Sequence, residues 1–251
     1  MAGHSHWAQV KRAKGANDAK RGKTFSRMAR EIMIAAKAGG GDPAMNPRLR
    51  QAIVAAKAES VPKDTIERAI KRGTGEIAGE TIEELTYEAY APGGVALLVE
   101  ATTDNKNRTA AEIRAIFTKH NAALGSPGSV AWMFQRCGLI EVPSAGTDED
   151  TVMMAAIDSG AEDMTTVGDT FSIRAPVDKL YAVEEALRKQ GIAVRSAKIA
   201  AVPSNQTPVT DEKVAGQVMA LIEALDDHDD IQNVYSNIDI PDALMAKLAA
   251  A

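Results

Sequence analysis

The 251-residue sequence predicts an α+β protein: an N-terminal three-helix bundle plus two α/β sandwich domains, the third (a split βαβ, ferredoxin-like unit) inserted in the second. Three observations predict this. Apolar residues recur at helical spacing from Thr24 to Gly75, between glycine and proline stops. Beyond Gly75, strand-like runs alternate with helical ones. Residues 138–203 carry the order β-α-β-β-α-β, flanked on both sides by elements that together complete one further sheet. The expected boundaries are a basic arm at 1–23, a bundle at 24–76, a discontinuous α/β domain at 77–136 and 204–242, and an insert at 137–203.

The arm has little to bury beyond Trp7 and Val10, so no core offsets its ordering entropy, and it is expected to be extended or mobile when free. Phe25, Met28, Ala29, Ile32 and Ala36 then mark one face of a first helix, stopped by Gly39-Gly40-Gly41 and Asp42-Pro43. Asn46 is the N-cap of a second helix with Pro47 at its first position and an apolar stripe of Leu49, Ala52, Ile53 and Ala56. A third helix follows Pro62, with Ile66, Ala69 and Ile70 inward and Arg68, Lys71 and Arg72 outward. "LTYEAYAP" and "GVALLVEATT" read as strands joined at Pro92-Gly93-Gly94. "NRTAAEIRAIFTKH" reads as a helix with Ile113, Ile116 and Phe117 buried, and "SVAWMF" as a strand. After the insert, "DEKVAGQVMALIEALDDHDD" reads as a helix and "IQNVYSNIDI" as the strand that closes the middle sheet.

Charge is distributed unevenly along this chain. Residues 1–75 hold 16 Lys+Arg against 6 Asp+Glu, a net of +10, while the whole chain carries −5. The remaining 176 residues are therefore acidic, at −15. A basic module on an acidic body points to a polyanion met by the basic part alone. The candidate nucleic-acid-binding residues are Lys11, Arg12, Lys14, Lys20, Arg21, Lys23, Arg27 and Arg30, together with Arg48, Arg68, Lys71 and Arg72 on the bundle. Trp7 is a candidate for stacking on a base. A second candidate anion-binding loop is Asn105, Lys106, Asn107 and Arg108, at a helix N-terminus, where Asn107 or Asp104 could equally serve as N-cap. "DDHDD" at 226–230 reads as a solvated helix end, with metal binding a minor reading.

Other chemistry is excluded or left without a device. No apolar run of membrane-spanning length occurs, so no membrane partner is expected. One cysteine, Cys137, fits a cytoplasmic location and rules out an internal disulfide. "RGKT" at Arg21–Thr24 lacks the first glycine and the preceding strand of a phosphate-binding loop. No nucleophile-and-base constellation, metal set or cofactor motif is visible, so no cofactor and no enzyme activity are expected. No zinc-finger spacing, aromatic RNA-binding signature or zipper heptad supplies a base-reading device.

"MAGHSHWAQVKRAKGANDAKRGKTFSRMAREI", "GGGDPAMNPRLRQAI", "PKDTIERAIKRGTG" and "DDIQNVYSNIDIP" together resemble the YebC family from end to end. That family holds bacterial probable transcriptional regulators and the mitochondrial translational activator of cytochrome c oxidase. The resemblance implies three domains with the third inserted in the second. It also implies a nucleic-acid role for Lys11 to Arg30, exerted on DNA in transcription or on ribosomal RNA in translation, for example at consecutive prolines. His6 stands where the family has Lys, Arg12 where His is common, and Ala89 and Ala91 where glycine is usual. The expected function is thus a DNA-binding transcriptional regulator. The alternatives are a ribosome-associated translation factor and an enzyme with a ligand between the α/β domains. The acidic domains are expected to position the basic part or to meet a protein partner.

Overall fold

The structure, a computed structural model, describes residues 18–78 and 82–250. Its first helix, α1 (Asp18–Gly39), is already formed six residues before the expected start at Thr24. An apolar stripe locates only the buried part of a helix, and the sequence Asp18–Lys23 holds no apolar residue larger than alanine to mark the earlier turns. α2 (Pro47–Ala58) begins as expected: the Asn46 side chain accepts from Leu49 N at 3.1 Å. The same side chain donates to Ala35 O at 2.7 Å and Gly40 O at 2.8 Å, so one buried residue caps α2 and ties it to the end of α1. α3 (Lys63–Gly73) crosses α1 closely: a Cβ on Gly73 would lie 2.4 Å from Met33 O. Ile32, Ala35 and Ala36 of α1 pack with Leu49, Ala52 and Ala56 of α2 and with Ile66 and Ala69 of α3 to form the bundle core.

The middle sheet has the order β3 (Ala123–Leu124), β1 (Glu83–Ala91), β2 (Val95–Thr103), β9 (Ile231–Ser236). β1 (Glu83–Ala91) and β2 (Val95–Thr103) pair antiparallel from Glu83↔Thr103 to Ala91↔Val95, joined by a one-turn 3-10 segment, Pro92–Gly94. Gly93 there has φ +79, a left-handed conformation that a side chain would strain. β2 is buried on both faces, which accounts for its almost unbroken apolar run. Val95, Leu97, Val99 and Ala101 face the main core under α4 (Lys106–Lys119), α7 (Glu212–Asp226) and α8 (Asp242–Ala250), while Ala96 and Leu98 meet Val130, Phe134 and Ala201. β3 (Ala123–Leu124) adds to the outer edge of β1.

"SVAWMF" departs from the expected strand. Ala131–Met133 forms a second 3-10 turn, and the strand β4 (Phe134–Pro143) begins only at Phe134. The buried Glu88 carboxylate bends this segment, accepting from Gly128 N at 2.6 Å, Val130 N at 2.7 Å and Ala131 N at 2.8 Å. Backbone donors that a strand would pair with a neighbour are taken by a side chain 40 residues away.

The insert follows the expected order: β4, α5 (Glu149–Asp158), β5 (Asp163–Val167), β6 (Thr170–Ala175), α6 (Leu180–Lys189) and β7 (Ser196–Pro203). Its sheet runs β5-β6-β4-β7, antiparallel throughout, which is the split βαβ topology. Ile140, Val142, Phe171 and Ile173 of the sheet meet Val152, Ala156, Leu180, Val183 and Leu187 of the two helices. The chain then returns through β8 (Thr207–Pro208) and α7. β9 (Ile231–Ser236) lies antiparallel to β2, with Val99 opposite Val234, completing the middle sheet across the insert. "IQNVYSNIDI" is interrupted at Asn237, whose side chain accepts from Ala96 N at 2.8 Å, and β10 (Ile238–Asp239) pairs instead with β8.

Candidate nucleic-acid interface

The helix α7 ends in an electrostatically unfavourable way. The negative end of a helix dipole, with its last carbonyls unpaired, favours a basic residue, yet the last turn of α7 contains none; the helix ends on Asp226, and Asp227, Asp229 and Asp230 follow. The structure supplies the missing cations from α1, about 200 residues away. Lys23 Nζ donates to Asp227 O at 2.7 Å and lies 3.8 Å from Asp229 Oδ1. Arg27 Nη2 donates to Asp226 O at 2.7 Å. Arg30 donates to Asp229 O and pairs with Asp230 Oδ1 at 3.0 Å. The spacing 23, 27, 30 places all three on one face of α1. "DDHDD" is therefore not a freely solvated helix end: it is the receptor for three of the expected nucleic-acid-binding side chains, and the helix preceding it stops at Asp226.

Asp230 is the hub of this cluster. It is 2 % exposed, and its Oδ2 accepts from Thr109 Oγ1 at 2.6 Å, Arg108 Nη2 at 2.9 Å and Thr103 Oγ1 at 3.2 Å. Burial by itself pushes its pKa up. The bonds from Thr109 and Arg108 and the charges of Arg30 and Arg108 outweigh that and hold the carboxyl below its ordinary range. The N-terminus of α4, read from sequence as a second anion-binding loop, thus faces an anion of the chain itself. Asn105, rather than Asn107 or Asp104, is the N-cap, accepting from Arg108 N at 3.1 Å. Arg108 also pairs with Asp104 at 2.9 Å, Lys106 Nζ lies 3.9 Å from Glu83, and Asn107 is exposed.

The remaining candidates fall into three groups. Arg48 bridges Glu31 at 3.0 Å and Glu84 at 3.1 Å, fastening the bundle to β1. A bond from Gln51 to Glu184 fastens it to α6 as well. Arg68, Lys71 and Arg72 on α3 are exposed, and no carboxylate partner for them occurs among the described residues. Lys11, Arg12, Lys14, the side chains of Lys20 and Arg21, and Trp7 lie outside the described residues.

Sequence reading missed two features. The clasp between α1 and the 226–230 turn was signalled only by the absence of a basic residue at the end of α7. The other is Trp132, 68 % exposed on the turn that Glu88 holds. Its indole N–H and the Tyr90 hydroxyl both donate to Ser129 O, at 3.1 and 2.9 Å. Glu112, His228 and Asp230 place potential ligand atoms within 4.8 Å of one another. Those atoms are already engaged, however: Asp230 N donates to His228 Nδ1 at 3.1 Å, leaving Nε2 to bond Glu112 at 3.0 Å, and Asp230 holds two arginines. No described helix is long and apolar enough to cross a membrane.

The architecture and the charge arrangement define a class: a helical, cation-rich module clasped to a two-part α/β body with an inserted ferredoxin-like unit. Residues 5–76 match the model of the TACO1/YebC protein N-terminal domain, and residues 82–238 that of the TACO1/YebC second and third domain. The chain belongs to the TACO1/YebC family. A "probable transcriptional regulatory protein" of Desulfotalea psychrophila is 54 % identical over 249 residues, covering 99 % of this chain and 100 % of that one. One of the same description from Thermobifida fusca is 50 % identical over 250 residues, covering 99 % and 100 %. The crystal structure of a conserved hypothetical protein from Aquifex aeolicus is similar at a TM-score of 0.86 and 45 % identity, over 94 % of this chain and 98 % of that one.

Proposed function

We propose that the chain is a non-enzymatic regulator of gene expression that binds nucleic acid through its phosphate backbone, in the manner implied by the name its relatives carry, probable transcriptional regulatory protein. The observation that supports this best is the outer face of α3. Arg68, Lys71 and Arg72 stand exposed on one short helix, within the 75 residues that carry a net charge of +10 in a chain of −5. Cations without internal partners contribute counterion release when a phosphate backbone arrives. Lys23, Arg27 and Arg30 of α1 are committed to the 226–230 turn, whereas Arg68, Lys71 and Arg72 of α3 are open without rearrangement.

The test is the charge reversal Arg68→Glu, Lys71→Glu, Arg72→Glu in the full chain. Binding to a labelled DNA duplex and to oligouridylate falls by more than tenfold at near-physiological salt, as expected for about three lost phosphate contacts. Unchanged binding with an intact fold refutes the assignment. RNA is the second reading, because the sequence offers phosphate-contacting groups but no zinc-finger spacing or zipper heptad for reading DNA bases. Crosslinking in cells, followed by sequencing of the attached nucleic acid, separates ribosomal RNA from promoter DNA.

A further inference from the structure

We propose that the acidic turn at 226–230 is an internal stand-in for a nucleic-acid backbone, holding the cationic face of α1 in a closed state that a phosphodiester chain opens by exchange. This rests on the proposed function and describes how that same surface is regulated.

The chemistry of the two ligands matches. Lys23, Arg27 and Arg30 are met by carbonyl oxygens of Asp227, Asp226 and Asp229 and by carboxylates of Asp229 and Asp230, a run of oxygen acceptors along an acidic chain. A phosphate backbone offers the same acceptors with full charge. The contact is also built to exchange. It consists of polar groups alone, and its outer pair, Lys23 and Asp229, is 51 % and 64 % exposed, where ion pairs contribute little. Opening it leaves both sides supported. The apolar face of α1 stays packed on α2 and α3 through Ile32, Ala35 and Ala36, and Asp230 keeps Thr109 and Arg108. The closed state would raise selectivity: a polyanion must displace an internal competitor before it reaches three cations, so weak or short anions are rejected.

The full chain carrying Lys23→Cys and Asp229→Cys, joined by a short reducible bis-thiol linker, tests this. The native Cys137 is buried and does not compete. Joined protein withholds Arg27 and Arg30, and each phosphate contact is worth roughly fourfold in affinity near physiological salt. Its oligouridylate affinity is therefore about sixteenfold weaker than after reduction, with a salt slope flatter by about 1.4. Equal affinity before and after reduction overturns the clasp. If the joined form does not assemble, Asp227→Asn with Asp229→Asn replaces it, removing the Lys23–Asp229 ion pair and the neighbouring charge, compared with Glu212→Gln plus Glu223→Gln, which removes the same charge on α7 itself. Tighter binding and a steeper slope in the first pair alone supports the clasp, and identical behaviour of the two pairs overturns it. Loss of binding on reversal of the α3 charges, with no effect of the linker, leaves the proposed function standing without the clasp. Absence of binding by the unaltered protein overturns both.

Discussion

Asp230→Asn should be among the most damaging isosteric changes at the junction of the bundle with the middle sheet. The carboxylate accepts from Thr109, Arg108 and Thr103 on one oxygen and from Arg30 on the other. Asparagine keeps one acceptor. If its oxygen faces Thr109 and Arg108, its amide NH2 confronts the Arg30 guanidinium, donor against donor. Removing one partner of a buried ion pair costs about 3–5 kcal/mol. Both arginines reach solvent, at 20 % and 42 % side-chain exposure. Each also keeps another acceptor, the Asp229 carbonyl for Arg30 and Asp104 for Arg108. The loss therefore belongs near the lower end, about 3 kcal/mol. Urea denaturation followed by far-ultraviolet circular dichroism, and by Trp132 fluorescence in a Trp7→Phe background, measures it, with an unchanged m-value confirming that the same surface unfolds. Arg30→Gln in the Asp230→Asn background should then cost about 1 kcal/mol less than in the unaltered protein, because the shared contact is already gone. A loss under about 0.5 kcal/mol would refute the reasoning, since uncharged Asn would then serve the two arginines as well as the carboxylate does.

Glu88→Gln should destabilise by about 2 kcal/mol, because the amide can replace the acceptor for Val130 N and Ala131 N but presents a donor to Gly128 N. Loss of Trp132 fluorescence anisotropy at temperatures below global unfolding reports the loosened turn. Burial pushes the Glu88 pKa up, but the bonds from Gly128, Val130 and Ala131 bring it below its ordinary value, as happens at Asp230. Both groups hold fewer protons folded than unfolded, so their stabilisation is complete above the ordinary carboxylate pKa and is lost as pH falls through the depressed folded values. Denaturation midpoints across that acid range should flatten in the Glu88→Gln, Asp230→Asn double variant. Gly73→Ala should cost about 1–3 kcal/mol, since its Cβ would sit 2.4 Å from Met33 O; a thermal melt of the full chain checks it. Asn46→Ala should cost about 2 kcal/mol by removing the N-cap and the tie to Ala35 O and Gly40 O, seen as faster amide exchange in the first turn of α2.

The fold was legible where burial imposes a period. Ile32, Ala36, Leu49, Ala52, Ile66 and Ala69 are core residues of the bundle, and the β-α-β-β-α-β order of the insert emerges with the expected connectivity. Legibility failed where a polar group from far away decides local structure. "SVAWMF" has the composition of a strand, but the Glu88 carboxylate captures its backbone donors, and nothing near Val130 in the sequence announces Glu88. α1 begins six residues before its apolar periodicity does, so its first turns carry no signal in the sequence. At the candidate site the residue types were legible and their partners were not. A run such as Lys23, Arg27, Arg30 announces affinity for anions but does not distinguish a nucleic acid from the chain's own carboxylates.

That ambiguity has a physical consequence for how the charge split should be understood. If the basic and acidic parts were independent, the −15 of residues 76–251 would act on a polyanion only as a distant repulsive field, screened within about 8–10 Å at physiological salt. The clasp brings two of those carboxylates, Asp229 and Asp230, and the carbonyls of Asp226, Asp227 and Asp229 into direct contact with the basic helix, where screening is weakest. Cation number alone then overstates affinity. On the proposed function, Arg68, Lys71 and Arg72 contribute at first encounter, and Lys23, Arg27 and Arg30 contribute after exchange. Such a surface would bind a long, dense phosphate chain, which can gain the second set of contacts after the first, in preference to a short one. Affinity should therefore rise more steeply with oligonucleotide length than the number of phosphates contacted by α3 and the arm would require.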